Sequence, residues 1–179
     1  DAVLRVLGDG PTLAITGAGD ISIANSEFGR KTISVDRSPI QTQYAQSRAD
    51  LLEAGDWKGF LTASPFEEYE WALDRRNAYF LENGRLDRIA KNVGLISFHV
   101  DDLFQAARKN PNQFANVYAS NVFGYSRMHP NFYSGRLDVL ANALVPGGIL
   151  YVADHEDMRL MAGRKGVKRF VPESLQRDR

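Results

Sequence analysis

A doubly wound α/β fold with a mostly parallel sheet is what this sequence predicts, on three observations. Short apolar runs alternate with capped, amphipathic segments along the chain. The runs are apolar throughout rather than alternating with polar residues, as strands covered on both faces are. The first run also ends in a glycine-rich turn, "GAGD", and the second ends in an aspartate, Asp36. With 179 residues, 44% of them hydrophobic, the chain can bury one core of ordinary size, so residues 1–179 are expected to form a single domain.

The first strand is read at residues 12–16, "TLAIT", a run too short for a helix and stopped by Gly17 and Gly19. Residues 21–28 place Ile21, Ala24 and Phe28 near helical spacing, with Gly29 where a left-handed C-terminal cap falls. Residues 32–35 are the second strand and run into Asp36. In "SPIQ", Ser38 is expected as N-cap, Pro39 at the first helical position and Gln41 as the reciprocal member of a capping box. That helix runs to about Ala54, where Gly55 stops it. The same punctuation in "SPFE", from Ser64, Pro65 and Glu67, opens a helix to about Glu82. "VGLISFHV", residues 93–100, is the third strand, and Asp101 or Asp102 caps a short helix that ends before "KNPN". Residues 116–120 are the fourth strand. Residues 132–144 read as a helix with Leu137, Leu140, Ala141 and Leu144 on one face, stopped by Pro146, Gly147 and Gly148. "ILYVAD", residues 149–154, is the fifth strand, and the locally basic end reads as solvated, with a short strand around residues 167–171.

From Asp36 to Asp101 is 65 residues, about twice what one helical crossover needs. A helical insertion is therefore expected at about residues 56–92, between strands 2 and 3. It holds Trp57, Phe60, Phe66, Tyr69, Trp71, Tyr79 and Phe80, with Phe66, Tyr69, Leu73 and Phe80 on one helical face. Such a stripe is read first as core, and alternatively as one wall of an acceptor pocket.

Composition narrows the function. Basic and acidic residues balance at 22 each, so no overall field recommends nucleic acid or an anionic membrane as partner. Cysteine is absent, which removes disulfides, thiolate ligands and a cysteine nucleophile from consideration. No apolar run reaches the roughly 18 residues of a membrane span, and a cytoplasmic location is the default expectation. The opening at Asp1, without a methionine, reads as a processed or trimmed end that could lack part of an acceptor site. The oligomeric state is left open.

In a doubly wound sheet the ligand site lies outside the carboxyl ends of the strands, where the strand order reverses. Gly17 and Gly19 fall there, and without side chains they let the backbone approach a ligand. Asp36, about 20 residues on, stands where an acidic residue meets both ribose hydroxyls. A nucleoside-containing ligand is expected, with the rival reading that the glycines serve only the turn. A dinucleotide fingerprint would put glycine or alanine where Ser22 stands, which disfavours a nicotinamide oxidoreductase, and no P-loop motif occurs. A carboxylate or amide at Asp101 or Asp102 could meet the exocyclic amine of an adenine.

"AITGAGD", "TISVDRSP", "FHVDDL", "VYASNVFGY" and "LVPGGILYVAD" resemble, in order and spacing, the class I S-adenosylmethionine-dependent methyltransferases. The resemblance implies a Rossmann-like fold with S-adenosyl-L-methionine as cofactor. It places Gly17, Gly19 and Asp20 at the methionine end, Asp36 with the neighbouring Arg37 at the ribose, Asp101 or Asp102 at the adenine, and Ser120 and Asn121 at the reacting centre. Ile15 and Ile21 stand where that family has an acidic residue and a third glycine. The glycine turn ending in Gly19-Asp20, "AGDWKGFL" and the Ser120-Asn121 strand end more narrowly resemble the diacylglycerol 3-amino-3-carboxypropyltransferases of betaine-lipid synthesis. That likeness implies transfer of the aminocarboxypropyl arm in place of the methyl, to a small-molecule or lipid-like acceptor. In the family's usual form a final antiparallel pair completes the sheet, and the 25 residues after Asp154 barely suffice for it, so a shortened sheet is expected. Were the acceptor an alcohol, a base would be required, for which Tyr125, His129, Asp154, His155 and Glu156 are candidates, and Asn121 is a further catalytic candidate at the reacting centre. No metal site is expected, because consecutive residues of "DHED" at a strand end point in opposite directions. The alternative function is a non-catalytic nucleoside-binding or scaffolding module.

Overall fold

Leu13 and Ala14 are fully buried because their strand has a parallel neighbour on each side and helices over both faces. The computed structural model describes residues 2–64, 70–82, 84–120, 122–123 and 130–152. Its strands are β1 (Thr12–Ile15), β2 (Thr32–Asp36), β3 (Ile96–Val100), β4 (Phe114–Ser120) and β5 (Leu144–Val152). They form one sheet in the order β3-β2-β1-β4-β5, and every pairing is parallel. The fold is α/β, doubly wound and Rossmann-like. The helices are α1 (Ala2–Val6), α2 (Asp20–Ser26), α3 (Pro39–Glu53), α4 (Trp57–Thr62), α5 (Glu70–Phe80), α6 (Arg85–Asn92), α7 (Leu103–Lys109) and α8 (Pro130–Ala143). Among the described residues no helix is long and apolar enough to cross a membrane.

Each face of the sheet has its own core. Leu13, Val35 and Val117 pack against Leu103, Phe104 and Leu140 of α7 and α8. On the other face Ile23, Leu52, Phe60, Phe80 and Ile89 pack together, drawn from α2, α3, α4, α5 and α6. Phe60 and Phe80, 4.9 Å apart edge to face, are core residues of this layer, so the described part of the aromatic stripe is packing. Phe66 and Tyr69, with the opening of the "SPFE" helix, lie outside the described residues, and α5 ends at Phe80 rather than near Glu82.

Glu27 ties this layer to α2. Its carboxylate accepts the Tyr79 hydroxyl at 2.8 Å, Arg85 Nε at 2.8 Å and Arg88 Nη2 at 2.7 Å. Glu27 and Arg85 are both buried, so the group holds two charges out of water and matches them closely.

Several boundaries differ from the sequence reading. Residues 93–95 form a 3-10 turn, so the third strand starts at Ile96. His99 and Val100 are exposed because β3 is an edge strand. The fourth strand starts two residues early, at Phe114. The last helix starts at Pro130 and stops at Ala143, and Leu144 already pairs with Phe114. Pro146, Gly147 and Gly148 form a bulge inside β5, after which pairing resumes between Asn116 and Ile149. Proline has no N–H for the ladder, so it is accommodated where the ladder is already interrupted. The capping box is one-sided: Gln41 N donates to Ser38 Oγ at 3.3 Å, while Ser38 N donates to Asp36 Oδ1 at 2.9 Å instead of to Gln41. Helices α4, α5 and α6 make up the helical insertion expected at about residues 56–92, while α1 is not anticipated by the sequence. Residues 153–179, including the expected strand around 167–171, lie outside the described residues.

Candidate functional site

The site is built on the turn between β1 and α2. Thr16 N donates to Val35 O at 2.8 Å and Gly19 N to Thr16 O at 2.7 Å, which closes the turn against β2. Gly17 and Gly19 both have positive φ, 48° and 84°, but their surroundings differ. Gly17 has open space beside it, whereas a Cβ on Gly19 would lie 2.8 Å from Ala45 Cβ on α3. Gly17 therefore leaves the backbone accessible, and Gly19 lets the turn pack on a helix. Gly19→Ala is expected to destabilise the protein by about 1–3 kcal/mol through overpacking and backbone strain; thermal melts check this, and an unchanged melting temperature would contradict it.

Asp36 joins two turns. Its Oδ2 accepts Gly17 N at 3.0 Å and its Oδ1 accepts Ser38 N at 2.9 Å, while its carbonyl accepts Asp101 N at 3.0 Å. The carboxylate is thus held by backbone donors, and each oxygen keeps capacity for a further bond. Below it, Thr16, Ser34 and Ser22 form a buried hydroxyl chain with both links at 2.8 Å. Ser22 packs its side chain toward the sheet, at the place where a dinucleotide fingerprint has glycine or alanine.

Arg48 supports the turn from beneath. Fully buried in α3, its Nη1 donates to Ala18 O and to Asp20 Oδ1, both at 2.6 Å, and its guanidinium lies 4.7 Å from the Phe60 ring centre. Asp20 is thereby oriented at the head of α2.

At the end of β3, the two aspartates divide their work. Asp102 caps α7, its Oδ1 accepting Phe104 N at 3.0 Å and Gln105 N at 3.1 Å. Asp101 pairs with Lys109 Nζ at 2.7 Å and accepts Asp102 N; the Lys109 hydrogen bond, reinforced by that backbone donor, holds its carboxyl below the usual range. At the end of β4, Ser120 takes a left-handed conformation, φ 49°, which is uncommon for a residue other than glycine. Tyr118 stacks on Tyr151 at 5.2 Å. Burial pushes the Tyr118 phenol up, against a hydrogen bond with Ser120 that pulls it down.

These groups surround a cavity of about 710 Å³ over the carboxyl ends of β1, β2 and β4. Gly17, Asp20, Asp36, Arg37, Asp102 and Ser120, all expected from the sequence, line it. Gly19 and Asp101 do not: the first is occupied by its packing on Ala45 and the second by Lys109. Asn121, Tyr125, His129, Asp154, His155 and Glu156 lie outside the described residues. None of the lining comes from the described part of the insertion.

Sequence reasoning missed Tyr118, Phe104, Gln41 and Arg136, which also line the cavity, and Arg48 behind it. For Arg48 a signal existed. It falls on the buried stripe formed by Thr42, Ala45, Ala49 and Leu52, and a cation on an apolar helix face needs an internal partner. No protein-family model matches the chain, and no curated protein is significantly similar to it.

Proposed function

We propose that this chain binds S-adenosyl-L-methionine in the cavity and transfers its methyl or 3-amino-3-carboxypropyl group to a small-molecule or lipid-like acceptor. The observation that carries the reading is Asp36, fixed by Gly17 N and Ser38 N at the edge of a cavity that Asp102 and Phe104 also line. That arrangement suits a ribose whose two hydroxyls need an acceptor, joined to a flat base that needs an apolar face beside a polar edge. Ile15 and Val122 add apolar wall, and Gly17 leaves room for the ligand to approach the backbone. The cavity volume lies within the roughly 300–1,000 Å³ of small-molecule sites.

Bound there, the cofactor supplies a sulfonium whose leaving group is already activated. The chain has to align the acceptor and keep water out, for which a preorganised cavity suffices. Asp36 and Asp102 would hold the nucleoside, Gly17 and Asp20 the amino-acid end, and Ser120 would face the acceptor.

One observation favours a second reading, a nucleoside-binding module without transfer. Ile15 and Ile21 line the cavity where the resembled family has an acidic residue and a glycine, which removes a carboxylate from the amino-acid end.

Calorimetry with S-adenosylmethionine and S-adenosylhomocysteine on the wild type, Asp36→Asn and Asp36→Ala tests the proposal. Both ligands should bind the wild type, and Asp36→Ala should weaken them by about 1–3 kcal/mol, with Asp36→Asn weakened less because one carbonyl acceptor remains. Absence of binding by the wild type would sink the proposal. Binding without transfer to any member of a panel of alcohol, amine and lipid acceptors would select the second reading.

A further inference from the structure

At the rim of the cavity the surface opens into a second hollow of about 630 Å³, between α7, α8 and the loop after β2. The two share Arg37, Asp102, Phe104 and Arg136, so they adjoin. Charge distinguishes the second. Arg37 enters it from the residue after β2, Arg108 from the end of α7 and Arg136 from α8, and Asp102 is the one carboxylate among its described lining residues. Three guanidiniums against one carboxylate leave a local excess of positive charge in a chain whose formal net charge is zero.

These cations line one hollow and act on one another through their charges. Burial lowers the Arg136 guanidinium from its usual range, Asp102 opposes this, and the charges of Arg108 and Arg37 lower it further. Asp102, the carboxylate they share, has its Oδ1 engaged in capping α7. Arg136 also lies over the Phe104 ring at 4.5 Å, which sets one guanidinium face on an aromatic platform. Arginines brought from three separate elements to one hollow, with an aromatic group fixing one of them, match a tetrahedral anion that accepts several forked hydrogen bonds.

We propose that Arg37, Arg108 and Arg136 form a phosphoryl-binding subsite beside the nucleoside cavity, so that a molecule taken by the site carries a phosphate ester. The adjoining position rests on the nucleoside reading of the cavity, while the anion affinity of the arginines is a separate claim. Two sources could present the phosphate. It could stand on the ribose of the ligand beside Asp36 and Arg37, or on a second molecule, the acceptor, entering next to the nucleoside.

The test is calorimetry on the full chain at constant ionic strength with pyrophosphate, adenosine, adenosine 2′-monophosphate and S-adenosylhomocysteine. Arg108→Gln and the double variant Arg108→Gln/Arg136→Gln are compared with the wild type. Pyrophosphate should bind the wild type and weaken by about tenfold or more in the double variant, while Arg108→Gln, whose side chain lines only the second hollow, should change S-adenosylhomocysteine affinity by less than about threefold. Should the double variant fold poorly, Arg108→Gln alone keeps the test, because that side chain is exposed near the end of its helix, and it should still weaken pyrophosphate by about threefold. Adenosine 2′-monophosphate binding more tightly than adenosine, with the advantage lost in the variants, would assign the phosphate to the ribose. Adenosine 2′-monophosphate binding no more tightly than adenosine, with pyrophosphate still binding protein saturated with S-adenosylhomocysteine, would assign it to a separate acceptor. No pyrophosphate binding, or equal binding by wild type and variants, would overturn the subsite. S-adenosylhomocysteine binding without pyrophosphate binding would remove the subsite alone, and the converse would remove the cofactor reading alone.

Discussion

Replacing Glu27 with alanine is expected to lower stability by about 2–4 kcal/mol, because it removes the carboxylate that three donors share. The Glu27 side chain is 8% exposed and that of Arg85 9%, and Tyr79, Arg88 and Glu82 complete the group. Without Glu27, Arg85 keeps the more exposed Glu82 as partner and loses the less exposed carboxylate, and the junction of α5 and α6 with α2 loses its common acceptor. Glu27→Gln keeps one acceptor and should cost less, about 1–3 kcal/mol. The same group makes stability depend on pH. Burial alone would raise the Glu27 carboxyl, but hydrogen bonds from Arg88 and Tyr79 and the charges of Arg85 and Arg88 outweigh it and hold the group below its ordinary value. The unfolded chain therefore binds the proton more readily than the folded one. The contribution is complete above the ordinary carboxylate range and is lost as pH falls through the lowered folded value. Urea titrations between about pH 6 and pH 3 should show a steeper acid loss for the wild type than for Glu27→Gln. Parallel acid slopes for the two proteins would show that Glu27 does not carry the effect.

Arg48→Ala is expected to cost about 2–4 kcal/mol and to weaken ligand binding together with stability. The side chain fills space between Phe60, Tyr44 and the glycine turn, and its Nη1 satisfies the carbonyl of Ala18 and orients Asp20. Its Nε and Nη2 have no partner among the described residues. A residue that fills the volume without bringing these donors should recover part of the loss, so Arg48→Met should fall between the wild type and Arg48→Ala in thermal melts. Both variants should bind S-adenosylhomocysteine more weakly, because each frees Asp20 and the Ala18 carbonyl. Equal melting temperatures for the two variants would show that the filling of space is not what matters. Arg76 offers an independent readout. Burial and the nearby Arg48 charge lower its guanidinium, so losing Arg48 relieves a repulsion and keeps the cost below that of a fully paired buried cation.

Where a feature depends on neighbours in the chain, the sequence displays it. Ser38 and Asp102 are recognisable as caps because the cap and the amides it serves lie within three residues. The turn at Gly17 and Asp36 at the end of β2 follow from the alternation of apolar runs with punctuation. Local signals fail where the same residues serve two outcomes. Pro146, Gly147 and Gly148 stop a helix as readily as they bulge a strand, and only the pairing of Leu144 with Phe114 decides between them. Residues 93–95 are apolar enough for a strand, yet they turn before the β3 ladder begins. Within the expected insertion the bounds of α6 were not legible, because both its arginines serve Glu27 on a different element. The cavity was half legible for the same reason. Asp36 sits at a position fixed by topology, whereas Tyr118 and Arg136 reach it through packing of elements far apart in the sequence.

The place of β1 in the sheet has a kinetic consequence. It finds one neighbour, β2, within a short crossover, but Thr12 meets its other neighbour, Asn116, across 104 residues. Loop-closure entropy must be met before that second ladder contributes, so the transition state forms late in assembly and folding is slow for a chain of this size. During synthesis β1 presents an unpaired edge until β4 has emerged, and this edge can recruit another chain. Refolding in the dilute state should therefore be far more efficient than at high concentration, with the open edge of β1 as the point of diversion.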